Sequence, residues 1–195
     1  EQTAGDVIVN VNDAHAGAGF IDNVPEIPLA DAMITNTKNL FLCVRTADCF
    51  PILIYDKKQK AIAAVHSGRE GTRLNILGKT IQKMIDEFKC QSNDLHIVIG
   101  AGISANHYEV DKNTYHYFYK SNSEILSQEF IDKKLNESSY KINIPEMLSF
   151  QLEAEKIKNN QIQLIPECTY ENQNYFSFRR DKGNNRQLSV IGIIQ

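Results

Sequence analysis

The chain reads as an α/β domain, of the α+β kind with a mixed sheet, and three observations predict it. Three apolar runs, Leu40 to Val44, Phe50 to Tyr55 and Ala61 to His66, follow one another at the spacing of neighbouring buried strands. From Thr72 to Phe88 the period lengthens. Leu74, Leu77, Ile81, Met84, Ile85 and Phe88 recur at helical spacing with polar residues between them. Beyond that helix, strand-like and helix-like segments are intermixed, which places both kinds of element around one core.

The elements follow in order. Val7 to Val11 is β-branched and apolar, a strand pattern. Asn12 to Leu29 carries Gly17, Gly19, Pro25 and Pro28 and reads as loop. Ala30 to Asn36 is a short strand ending in a turn, and Asp56-Lys57-Lys58 turns the chain between the second and third apolar runs. Leu95 to Ile99 is a strand running into Gly100-Ala101-Gly102. Ile144 to Ile157 has helical pattern, and Gln163 to Ile165, Phe176 to Phe178 and Leu188 to Ile194 are late strands. No internal repeat, low-complexity tract or linker interrupts the chain, so residues 1–195 read as a single domain.

Composition narrows the function classes. The chain has 195 residues, 42% hydrophobic and 23% charged, with a net charge of -3. That balance lacks the basic face on which nucleic-acid binding depends. No apolar run approaches the length of a membrane span, and the first residues lack the basic and apolar stretches of a signal peptide. Cys43, Cys49, Cys90 and Cys168 are scattered without a C-x-x-C pair. They read as free thiols in a reducing compartment, by default the cytoplasm.

The densest polar groups bordering apolar runs are Arg45-Thr46-Ala47-Asp48-Cys49 and His66-Ser67-Gly68-Arg69-Glu70-Gly71. Strand ends of this kind hold reactive groups in place while loops open access. Cys49 and His66 admit three readings: a nucleophile–base dyad, ligands for zinc or copper, or a buried structural cysteine beside a satisfied histidine. Gly68 and Gly71 fit a helix start that approaches an anion such as phosphate, or a plain glycine turn with Thr72 as N-cap. Asp31 and Asp48 can orient the histidine or a substrate amine, or serve as turn and cap residues. Arg179-Arg180 reads as an anion contact or as strand-end charge.

Several segments together resemble one family. "ADAMITN", "VRTADCFPILIYD" and "AIAAVHSGREGT" are similar to the A-D-A/G-x-x-T-N, T-A-D-C-x-P-x-x-x-x-D and A-A-x-H-A-G-W-R-G patterns of the laccase-domain, or YfiH-type, proteins. "GAGISANHYEV" resembles G-P-x-I-x-x-x-x-Y/F-E-V, with Ala101 in place of proline. "CTYENQNYFSFRRD" resembles the family's late C-T…F-S-Y-R-R-D segment, and Arg186 to Ile191 the R-x-x-x-x-I beyond it. The matches keep the family's order from Gln2 almost to the end.

The resemblance implies a YfiH-like layered α/β fold akin to cysteine-hydrolase architectures. It also implies purine nucleoside phosphorolysis, with adenosine deaminase and methylthioadenosine phosphorylase activity, or peptidoglycan editing through cysteine-dependent amide hydrolysis in a bacterial branch. Its partners would be a purine nucleoside and phosphate. The family site holds a metal, usually zinc, between two histidines and a cysteine. Cys49 and His66 match two of these. The third belongs to a Q-x-H-G motif, matched by Gln2-Thr3-Ala4-Gly5, where Ala4 replaces the histidine. His15 and His107 lie off the ligand positions. Arg69 and Glu70 replace the tryptophan and arginine of H-A-G-W-R-G, which rewrites the charge beside the histidine. The family also has a segment ahead of Q-x-H-G, and this sequence opens at that motif, as expected of a fragment or engineered form, or of a member that lacks part of the usual site. The expected site is therefore Cys49 and His66 as catalytic or metal groups, a zinc or copper site weakened by Ala4, and Arg45, Asp48, Arg69 and Arg179 around substrate and phosphate. With the first donor set incomplete, a member that only binds ligand is the remaining alternative. A multicopper laccase needs more imidazoles than His15, His66, His96, His107 and His116 supply.

Overall fold

The computed structural model describes residues 2–194. Among the described residues eight strands form: β1 (Ile8–Asn10), β2 (Ala32–Thr35), β3 (Phe41–Thr46), β4 (Phe50–Asp56), β5 (Ala61–Ser67), β6 (Leu95–Ile99), β7 (Ile162–Leu164) and β8 (Gln187–Gly192). The helices are α1 (Arg69–Arg73), α2 (Ile76–Phe88), α3 (Lys112–Lys120), α4 (Gln128–Leu135), α5 (Ile144–Ala154) and α6 (Phe178–Asp181).

Six strands make a mixed sheet in the order β1-β2-β5-β4-β6-β7. The inner pairs are antiparallel, while β1 and β7 run parallel to their neighbours. Strand alternation explains how both faces are used. Ile34, Ile52, Ile54, Ala63 and Val65 point to one side, where they pack with Ile76, Leu77, Ile81 and Met84 of α2 and Met147 and Leu148 of α5. Met33, Leu53, Ile62 and Ala64 point to the other, against Leu42 and Val44 of β3 and Ile191 of β8. The middle strand β5 is thus buried at every position. The result is three layers: helices, sheet, and a two-stranded β3–β8 ribbon.

The predicted mixed-sheet α/β class is the one observed, with local corrections. Of the three apolar runs, β4 and β5 are antiparallel neighbours, but the first, β3, belongs to the ribbon. The turn between β4 and β5 is closed by the Asp56 carboxylate, which accepts the Lys58 and Gln59 amides. The single helix expected over Thr72 to Phe88 is two. Asn75 adopts a left-handed conformation, φ 58°, and its side chain caps α2 by accepting the Gly78 amide. Thr72 is no N-cap: it is buried within α1, and its hydroxyl donates to the Gly68 carbonyl. Phe176 to Phe178 forms no strand, because Ser177 caps the single turn α6 by accepting the Arg180 amide. The helices α3 and α4 were not foreseen. In α3 the buried Tyr115, Phe118 and Tyr119 fall at helical spacing, but their polar companions mask the pattern.

Ile54 sits fully buried on β4 between β5 and β6. Ile54→Ala is expected to cost about 2–5 kcal/mol of stability. Urea unfolding checks this, and a loss below about 1 kcal/mol would mean the sheet centre is not the packing centre.

Candidate active site

The antiparallel pairing of β4 and β5 brings the two sequence-predicted groups together. Phe50 lies opposite Ser67 and Pro51 opposite His66, so Cys49, just before β4, meets Gly68, just after β5. A Cβ at Gly68 would stand 3.0 Å from the Cys49 sulfur and 3.8 Å from His66 Cε1. Glycine there leaves the thiol and imidazole room to meet, and the nearby thiol helps His66 to hold its proton.

Behind His66 lies Asp31, at the start of β2 and 1% exposed. His66 Nδ1 donates to Asp31 Oδ1 at 2.8 Å. With that nitrogen committed, Nε2 is left for Cys49. The same carboxylate accepts the amides of Thr3, Ala4 and Gly5 and the Thr3 hydroxyl, at 2.7–3.2 Å. Gln2 clips this segment to β3, donating to the Arg45 carbonyl and accepting the Arg45 amide. Burial works against the Asp31 charge, but hydrogen bonds from His66, Gly5 and Thr3 outweigh it and lower its pKa to about 2. Burial likewise disfavours the His66 imidazolium. Its hydrogen bonds with Asp31 and Cys49 outweigh that and raise it to about 9.

Cys49 opens onto a pocket of about 420 Å³, whose wall includes Asp48, Arg69, Tyr108, Phe178, Arg179 and Lys182. Asp48, at φ 84°, is its only carboxylate among the described residues and is already engaged. It accepts the Thr169 hydroxyl at 2.7 Å and the Arg179 amide at 2.6 Å, while its carbonyl accepts the Ile103 amide. Asp48 therefore fastens α6 to the site. The Arg179 guanidinium donates to the Glu109 carbonyl and lies 5.3 Å from the centre of the Tyr108 ring. Burial raises the Tyr108 phenol, with Arg69 at its hydroxyl pulling the other way.

Of the residues singled out from sequence, Cys49, Asp48, Arg69 and Arg179 line one pocket, and His66 stands directly behind Cys49. Arg45 does not join them. It is exposed on β3 opposite Leu188 of the ribbon. Arg180 is a pin, donating to the Thr169, Tyr170 and Tyr175 carbonyls and pairing with Asp181. Glu70 pairs with Arg73. Tyr108, Phe178 and Lys182 were missed as site residues. Tyr108 and Phe178 stand inside the family-like segments, which is the signal that was available; Lys182 follows them at the α6 C-cap.

The donor set does not fit the implied metal. Cys49 and His66 offer two ligands, and the position of the third is Ala4, whose side chain has no donor. Asp31 is occupied by the four donors of Thr3–Gly5 and by His66. His15 is engaged with Asn12, and His107 with Glu171 and Tyr170. Among the described residues no three His, Cys, Asp or Glu side chains converge. A zinc centre with three or four protein ligands, or a copper centre with two histidines and a cysteine, lacks its members here.

A family model described as multi-copper polyphenol oxidoreductase laccase matches residues 1–194. The chain belongs to this family. It is 33% identical to a purine nucleoside phosphorylase of Bacteroides thetaiotaomicron over 87% of this chain and 63% of that protein. It is 34% identical to a purine nucleoside phosphorylase of Clostridium acetobutylicum over 98% of this chain and 74% of that protein. The chain thus spans about two thirds to three quarters of these relatives' length. The crystal structure of the Bacillus licheniformis hypothetical protein YfiH superimposes with a TM-score of 0.86 at 29% identity, covering 99% of this chain and 72% of that one. The YfiH-type layered fold is therefore the one this chain adopts.

Two outcomes test the geometry. The His66 pKa is raised from 6.5 in the unfolded chain to about 9, so its stabilising contribution is complete below pH 6.5 and fades as pH rises through about 9. The Asp31 pKa is lowered, so its contribution is complete above pH 3.8 and is lost as pH falls through about 2. Urea midpoints are expected to decline between pH 6.5 and 9, and Asp31→Asn to flatten that decline. An unchanged slope in the variant would show that Asp31 does not hold the His66 proton. Ala4 sits at φ 60°, a left-handed conformation in which histidine is more at home than alanine. Ala4→His is expected to bind zinc more tightly than the native chain in a competition titration; equal affinity would place this residue away from the pair.

Proposed function

We propose that the chain cleaves purine nucleosides by phosphorolysis, with Cys49 and His66 at the reacting end of the pocket. One observation carries this reading. The hydrogen-bonded Asp31–His66 pair, with the Cys49 thiol beside the imidazole, stands at a pocket whose wall presents Arg69 and Arg179 and whose one carboxylate among the described residues, Asp48, is occupied. Phosphorolysis joins a phosphate oxygen to C1′ as the C1′–N9 bond breaks, and the electron pair leaves with the purine. Guanidinium groups suit the phosphate. The proton shared between Cys49 and His66 is available to the departing base. The similarity to proteins named purine nucleoside phosphorylase supports the same substrates. Methylthioadenosine offers the same bond, and deamination of adenosine would need an activated water at the same wall. The four free cysteines accord with a reducing, cytoplasmic setting, and no helix among the described residues is long and apolar enough to cross a membrane.

A second reading rests on the order of the three side chains. Carboxylate, imidazole and thiol in line are also what cysteine-dependent amide hydrolysis uses. Cys49 would attack the carbonyl carbon, His66 would pass the thiol proton to the leaving amine, and water would then cleave the thioester.

Incubation with inosine, adenosine or methylthioadenosine, with and without phosphate and zinc, separates the readings. Phosphate-dependent release of the base is expected, and Cys49→Ala should lower its rate at least about 100-fold. Release that is indifferent to Cys49, or absent with every nucleoside, would sink the phosphorolysis reading. Ammonia from adenosine would establish deamination, and turnover of an amide would favour the hydrolase.

A further inference from the structure

Phosphorolysis of a neutral nucleoside brings a single phosphate into the pocket, and the wall holds more cation than that requires. Arg69 and Arg179 both meet Tyr108, one at its hydroxyl and the other beside its ring. Two guanidinium groups spaced by one aromatic ring suit one tetrahedral oxyanion. Lys182 is a third cation. It closes the C-terminal end of α6, with Nζ 5.6 Å from the centre of the Phe178 ring. Among the described residues none of these three cations has a carboxylate within ion-pair distance. Phe178 leaves 48% of its surface exposed beside the pocket, with Arg186 5.8 Å from its ring centre on the same short stretch of chain. A nucleoside offers Lys182 no charge. A phosphate ester on the ribose does.

We propose that Lys182 and Phe178 form a subsite for a phosphorylated substrate, so that the pocket prefers a purine nucleoside 5′-monophosphate to the free nucleoside. Phe178 supplies an apolar face for the sugar or base, and Lys182 pairs with the ester. Arg69 and Arg179 remain with the attacking phosphate. Asp48 makes the arrangement possible by holding the Arg179 amide, which anchors α6 with Phe178 and Arg179 and, at its C-cap, Lys182. This inference rests on the purine reading given above.

Calorimetric titration of the native chain with inosine, inosine 5′-monophosphate and ribose 5-phosphate tests it without requiring turnover. The monophosphate is expected to bind at least about tenfold more tightly than inosine, equivalent to about 1.4 kcal/mol. Lys182 is exposed, so Lys182→Glu is expected to fold normally. It should abolish the preference, bringing the affinity for the monophosphate down to that for inosine measured on the same variant. Equal binding of inosine and its monophosphate would overturn the subsite and leave the nucleoside reading standing. So would a preference that survives Lys182→Glu. Ribose 5-phosphate binding as tightly as the monophosphate would uphold the ester contact and remove the purine from it. No binding of any of the three would overturn both.

Discussion

The buried Asp31 carboxylate is the constraint on which the site depends. A carboxylate removed from water is costly unless its oxygens are satisfied. Here three consecutive backbone amides, a hydroxyl and the His66 ring supply the donors. The same interactions therefore perform two tasks. They fold residues 3–5 onto the sheet, and they fix which nitrogen of His66 faces Cys49. Losing the segment would leave a buried charge short of donors; losing Asp31 would free both the segment and the imidazole.

The sheet supplies the second constraint. Because β4 and β5 are antiparallel neighbours, groups some seventeen positions apart in the chain become adjacent at one sheet end. Burial of β5 on both faces leaves its backbone little freedom. Cys49 and His66 thus stand on a rigid floor. The opposite wall is of another kind: α6 is a single turn held by Ser177 and by the Asp48 carboxylate. A rigid floor that carries Cys49 and His66 faces a short cationic element fastened by two hydrogen-bonded anchors.

The departures from the family pattern acquire physical meaning in this frame. Ala4, where the resemblance implies a histidine, offers no metal donor but supplies the backbone amide that Asp31 accepts. Arg69, where the resemblance implies a tryptophan, places a charge at the Tyr108 hydroxyl. Glu70, where the family has arginine, is turned to Arg73 and adds no negative charge to the pocket wall. The pocket that results is cationic and poor in metal donors.

Much of this was legible in the sequence, for a common reason. The strands β4, β5 and β6 and the helix α2 are long, periodic segments, and their hydrophobic pattern reports local geometry directly. Cys49, His66, Asp48, Arg69 and Arg179 stood out because polar residues at the borders of such segments are conspicuous. What depended on chain segments far apart was not legible. The break at Asn75 turns on one left-handed residue, and the turn α6 on a serine cap. Arg45 looked like a partner of Cys49 because it is close in sequence, yet strand alternation and pairing with β8 carry it to the exposed ribbon. The sequence by itself determined the mixed α/β class and the family, and it singled out Cys49 and His66. Only the tertiary structure decided that Asp31 holds His66, that Asp48 anchors α6, and that Tyr108, Phe178 and Lys182 share the pocket. Those relations arise from register and packing between distant segments, which no local pattern encodes.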